Sequence, residues 1–156
     1  MKIFVFLYLL IGSIGHASAQ AQDIASCGEP NGNSYYAFVG PVPKDKSGWQ
    51  KDGIKDGSFN LTRLSTGKFD MFYQDLFKNI GSVTADGATV ALLRSEPNNI
   101  VVLVMYSDAS EFYTFWKTTD GKFQYSFMQT KSAPIGLLKM ALFVGDCRSI
   151  NFNLLR

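Results

Sequence analysis

Few side chains in this sequence are equipped for covalent or metal chemistry, and their positions narrow the options further. His16 is the one histidine of the 156 residues, and Cys27 and Cys147 are the two cysteines. A Ser-His-Asp or Cys-His nucleophile needs an imidazole to take up the proton, and the common zinc sites combine His with Cys. His16 follows an apolar run that reads as an export leader, so the exported chain is expected to hold no histidine. Catalysis would then fall to carboxylates, Lys or Tyr. Among the acids, Asp52, Asp56, Asp86 and Asp120 stand directly before glycine, where both residue types favour a turn. The stretch Lys51-Asp52-Gly53-Ile54-Lys55-Asp56-Gly57 lacks the alternating oxygen ligands of a calcium loop, and no Gly-rich phosphate loop or dinucleotide fingerprint occurs. No pair of carboxylates is marked out for glycoside hydrolysis. Asn60-Leu61-Thr62 fits the N-glycosylation pattern, which matters only in a eukaryotic host. The reading is of a non-enzyme with no metal and no cofactor.

The distinctive chemistry is aromatic. The chain has 13 Phe, 7 Tyr and 2 Trp, of which only Phe4, Phe6 and Tyr8 fall in the leader. Phe112, Tyr113, Phe115, Trp116, Phe123, Tyr125 and Phe127 crowd into one expected hairpin. On a strand, Phe112, Thr114 and Trp116 share one face while Tyr113, Phe115 and Lys117 share the other. The plainer and preferred reading is that these rings fill the core, each contributing about 1.5–3 kcal/mol when buried. The functional reading makes part of the wall, with Trp49, Tyr113, Trp116, Phe123, Tyr125 and Phe127, the lining of a pocket for an apolar or aromatic molecule.

The cysteines set the compartment. Lys2, the apolar run Ile3 to Ile11 and the small residues Ala17-Ser18-Ala19 predict a secretory signal peptide over 1–19, with Ala21 as a second acceptable cut. Nothing downstream is apolar for long enough to be a membrane helix. In an oxidising compartment, Cys27 and Cys147 are most simply a disulfide. The competing reading takes Ile24-Ala25-Ser26-Cys27 as a lipobox, which would lipidate Cys27 and leave Cys147 unpaired. The formal charge of +2, from 15 Lys+Arg and 13 Asp+Glu, excludes nucleic-acid binding by bulk electrostatics. With 46% hydrophobic and 18% charged residues the chain is not disordered.

The elements that must carry these side chains are short strands. Turn signals recur at Asp56-Gly57, Thr66-Gly67, Asp86-Gly87, Pro97-Asn98-Asn99, Ser107-Asp108, Asp120-Gly121 and Ser132-Ala133-Pro134. Most are roughly 10–12 residues apart, the spacing of an antiparallel all-β meander. Hairpins are expected across Ala88–Tyr106 and Glu111–Thr130. Residues 20–34, rich in Gly, Pro, Asn and Ser, read as an irregular lead-in to a single β domain over 35–156. Ile100 to Tyr106 is apolar at every position, which predicts a strand covered on both sides, with Ile150, Phe152, Leu154 and Leu155 as a cover. Phe69, Phe72, Tyr73, Leu76, Phe77 and Ile80 follow helical spacing, yet the segment also reads as strand, turn near Lys78-Asn79, strand, which is preferred.

Ser47-Gly48-Trp49, Asp56-Gly57-Ser58-Phe59-Asn60-Leu61-Thr62-Arg63-Leu64 and Phe143-Val144-Gly145-Asp146-Cys147 resemble small secreted proteins of Gram-negative bacteria. The resemblance spans most of the exported chain and implies export; that family brings no known activity. Gly48-Trp49 also resembles the lipocalin G-x-W, though here the two residues are adjacent. The expectation is an antiparallel all-β domain of about eight or nine strands, barrel-like or a two-sheet sandwich. It would be periplasmic or secreted and would bind a small apolar ligand. The alternatives are a protein–protein module of the envelope, as an inhibitor or accessory subunit, and an eight-stranded outer-membrane barrel.

Overall fold

Alternation of apolar and polar side chains between turn formers places 61% of the described residues in strands. The computed structural model describes residues 20–74, 77–132 and 136–155; the expected leader and its cleavage sites lie outside them. Among the described residues, eleven antiparallel strands form one sheet: β1 Gln22–Cys27, β2 Asn31–Tyr36, β3 Gly48–Gly53, β4 Ser58–Arg63, β5 Phe69–Gln74, β6 Ile80–Ser82, β7 Thr89–Glu96, β8 Asn99–Met105, β9 Ala109–Lys117, β10 Phe123–Ser132 and β11 Leu138–Ile150. Nine run in the order β6-β5-β4-β1-β11-β10-β9-β8-β7, curled into a half-barrel. The β2–β3 hairpin branches off β11.

The all-β, barrel-like expectation holds, and the preferred strand–turn–strand reading of 69–80 matches β5, β6 and the positive φ of Lys78. The meander is interrupted, however. Two runs of sequential hairpins, β4–β6 and β7–β11, are joined through β1, which pairs with β4 on one side and β11 on the other. Residues 20–34 are therefore not an irregular lead-in. They contain β1 and most of β2, because the long β11 offers one edge to both: Cys147 to Ile150 face β1, and Lys139 to Val144 face β2. Pairing on that edge satisfies backbone groups that the local composition leaves uncommitted. Cys27 and Cys147 are register partners and form the disulfide, so Cys27 is not a free lipidation site.

The core lies on the inner face. Ile100, Val102 and Val104 of β8 are fully buried there, with Phe115, Tyr125, Leu61 and Met71. Val101 and Leu103 point outward and are only half-buried, so β8 is covered on one side rather than two. The C-terminal cover goes elsewhere: Phe152 joins the inner core, 6.3 Å from Phe123, with Leu154 and Leu155 packed against the same cluster. That 3₁₀ turn, Phe152–Leu155, fills one end of the half-barrel. The other end is left less full.

Candidate functional site

A cavity of about 410 Å³ lies on the inner face beside Gly28 and Pro30, where β1 passes into β2 and the sheet divides. Its wall is assembled from alternate positions of several strands. β9 supplies Glu111 and Tyr113, β10 supplies Tyr125, Phe127 and Gln129, β4 supplies Phe59, and β5 supplies Met71 and Tyr73. Ile54 and Gly57 of the β3–β4 connection and Ser58 at the start of β4 close it.

The rings brace one another. Phe59 meets Tyr125 edge-on at 4.7 Å and Tyr113 at 5.4 Å, while Tyr113 stacks on Phe127 at 4.9 Å. Such contacts add about 0.5–1.5 kcal/mol each beyond burial and fix the shape of the wall. Two tyrosines owe their positions to glycine. Tyr125 pairs across the sheet with Gly145, and a Cβ there would come 2.6 Å from the ring's Cε1. Its hydroxyl passes over that gap to donate to the Gly28 carbonyl at 2.7 Å. Tyr73 pairs with Gly81 in the same manner and donates to Asp86 at 2.6 Å.

One carboxyl faces this aromatic wall. Glu111 is 7% exposed; its Oε1 accepts from Gln129 Nε2 at 2.7 Å and its Oε2 from the Tyr113 hydroxyl at 3.0 Å. Burial pushes the Glu111 carboxyl above its usual range, and the hydrogen bonds from Gln129 and Tyr113 and the charge of Lys131 only partly pull it back. Burial, then the neighbouring Glu111 charge, raises the Tyr113 phenol well above normal, so it stays a donor. Burial and Asp146 raise Tyr125 likewise.

Two further carboxylates serve the frame. Asp70, 3% exposed, accepts from Ser82 Oγ and Thr84 Oγ1, both at 2.6 Å, and from the Met71 amide at 2.7 Å, pinning β5 to the turn after β6. Burial raises its carboxyl, but these bonds outweigh that and hold it low. Asp52 accepts from Ser34 Oγ at 2.7 Å and from Lys139 Nζ at 2.9 Å, tying β3 and β2 to β11. Burial alone would raise the Asp52 carboxyl; the bonds from Lys139, Ser34 and the Gly53 amide, with the Lys139 charge, bring it to about 2. Among the described residues no cluster of three His, Cys, Asp or Glu forms.

Of the residues singled out in sequence, Tyr113, Tyr125 and Phe127 meet at the cavity. Phe123 shares their face but packs at the far end against Phe152. Trp116 points to the outer face, and Trp49 is 70% exposed beside Tyr35, 5.4 Å away. Sequence reasoning missed Phe59, Tyr73 and Glu111 as cavity residues. Glu111 carried a usable signal: with Tyr113 and Phe115 on the inner face, the alternation of β9 puts this acid inside too. Comparison with family models, curated proteins and solved structures found no match to this chain. The functional reading therefore rests on the cavity itself.

Proposed function

We propose that the chain is exported and works as a non-enzymatic binding protein, holding a small apolar or aromatic ligand in the cavity bounded by Phe59, Tyr113, Tyr125 and Phe127. The observation that carries this reading is the cavity: its volume of about 410 Å³ falls in the range of small-molecule sites, about 300–1,000 Å³, and Phe59, Tyr73, Tyr106, Tyr113, Tyr125 and Phe127 contribute rings to its wall. Export to the periplasm or beyond is supported by the apolar leader over 1–19 and by the Cys27–Cys147 disulfide, which belongs to oxidising compartments. Titration of the folded protein with N-phenyl-1-naphthylamine tests the reading. Saturable fluorescence enhancement is expected, weakened at least ten-fold by Ser58→Trp at the cavity wall. Absence of saturable binding, or binding indifferent to Ser58→Trp, overturns it.

A specific feature favours the protein–protein alternative. On the outer face, Leu103, Phe112, Met128 and Leu142 line up as register partners across four strands, with Phe112 40%, Met128 51% and Leu142 49% exposed. Native mass spectrometry of material from its own host separates the two: a co-purifying small molecule supports the cavity, and a stoichiometric envelope protein lost on Met128→Lys supports the outer band. The outer-membrane barrel is the weaker reading. β6 and β7 stand at opposite ends of an open strand order, and Gln124 and Ser126 lie on the outer face, where lipid would require apolar side chains.

A further inference from the structure

We infer that the ligand of this cavity is an organic cation, an apolar or aromatic molecule bearing an amine or ammonium group that seats on Glu111. The inference rests on the cavity being the ligand site, and it names the chemistry that site selects.

The first ground is the electrostatic make-up of the wall. Glu111 is the one acidic or basic side chain among the described residues that line the cavity. No ion pair to it occurs among the described residues, where Lys131 is instead 3.7 Å from Asp108 and Lys139 is 2.9 Å from Asp52. Its two hydrogen-bond donors, Gln129 and Tyr113, are neutral. An ionised carboxylate has about four acceptor positions, so two donors leave room for a third and a fourth. A buried carboxylate with no cation in contact is expensive to keep ionised, the Lys131 charge acting on it only from a distance, and a ligand ammonium would supply a partner at contact range.

The second ground is the ring set. Phe59, Tyr113, Tyr125 and Phe127 surround the same space, and aromatic faces attract cations and hold the apolar body of the ligand at once. Among the described residues this wall has no Lys or Arg to receive a carboxylate, so a fatty acid would set its charge beside Glu111 unpaired.

The third ground is the placement of Glu111 against the binary pattern. At the start of β9 the carboxyl lies inside, 7% exposed, while its neighbour Phe112 lies outside, 40% exposed. A strand optimised only for stability would place these two the other way round. Departures of this kind are where function overrides packing.

The test compares three ligands of one shape at pH 7.5: 2-naphthylmethylamine, 2-naphthylmethanol and 2-naphthoate, each by displacement of N-phenyl-1-naphthylamine and by calorimetry. The amine is expected to bind at least ten-fold more tightly than the alcohol, and the carboxylate more weakly than both. In Glu111→Gln, whose fold is checked by near-ultraviolet circular dichroism, the amine-to-alcohol ratio is expected to fall to within about two-fold of unity. Equal binding of amine and alcohol to the unmodified protein, or preference for naphthoate, overturns the cation while leaving the cavity reading intact. If none of the three binds while N-phenyl-1-naphthylamine does, the cation is overturned; if the probe itself shows no saturable binding, the cavity reading fails and the cation falls with it. The ligand ranking in the unmodified protein decides the matter even if Glu111→Gln does not fold.

Discussion

Replacing Gly145 by Ala probes the wall of the cavity with a single carbon. The added Cβ would lie 2.6 Å from Tyr125 Cε1 and 2.9 Å from the Glu29 carbonyl oxygen, both inside contact distance. Tyr125 is fully buried, so its ring has no solvent to retreat into and is driven toward the cavity. Overpacking of this kind costs about 1–3 kcal/mol. Displacing the ring also breaks the 2.7 Å bond from its hydroxyl to the Gly28 carbonyl, about 0.5–1.5 kcal/mol more. The expected destabilisation is therefore about 2–4 kcal/mol, a fall in Tm of the order of 10 °C for a domain of this size. Urea denaturation followed by tyrosine and tryptophan fluorescence gives the free energy. A double-mutant cycle with Tyr125→Leu isolates the cause: removing the ring should return at least about 1 kcal/mol of the loss, the remainder reflecting the Glu29 carbonyl. A loss below about 0.5 kcal/mol, or strict additivity with Tyr125→Leu, would refute the claim that Gly145 keeps space for the ring.

Two further outcomes are expected from the same frame. Replacing Cys27 and Cys147 together by Ser opens a loop with a sequence separation of 120 and should cost about 4–5 kcal/mol by chain entropy, or about 2–4 by the usual run of measured bridges; an unchanged urea midpoint contradicts it. Asp52 is held at about 2 against an ordinary 3.8, so between those values the unfolded chain binds more protons than the folded one. Its contribution is fully present above about pH 4 and is lost as the pH falls toward about 2. Asp52→Asn should be less stable at neutral pH and flatter along that acid limb, and superimposable midpoints from pH 7 down to 2.5 would show that the Asp52 cluster contributes nothing.

How much of this was legible depends on where the forces are local. The β7–β8 and β9–β10 hairpins announce themselves through Pro97-Asn98 and Asp120-Gly121, turn chemistry that acts within a few residues. β1 and β2 do not: Gln22, Asp23, Asn31, Gly32 and Asn33 have little strand preference of their own, and become strands because β11 and β4 present free edges from far along the chain. The aromatic wall was legible as composition, but composition does not say which end of a strand meets which. Tyr125 and Phe127 reach the cavity, whereas Phe123, on the same face of the same strand, is taken up by Phe152. Trp116 follows from the opposite parity on β9, and Trp49 from a hairpin whose branching no local signal encodes. Gly81 and Gly145 lie inside strands, where a glycine often marks a close approach, in this case by a tyrosine.

The position of β1 in the middle of the sheet has a kinetic consequence. Its partner β4 follows within a few dozen residues, but its other partner belongs to β11, with Cys27 and Cys147 separated by 120 positions. Until β11 arrives, β1 presents a bare edge of backbone donors and acceptors, the kind of surface that recruits other chains. Closing so remote a pair is slow because the loop entropy is lost before the contacts form. A newly synthesised molecule would thus spend its vulnerable interval with half its sheet built and that edge open to pairing with other chains.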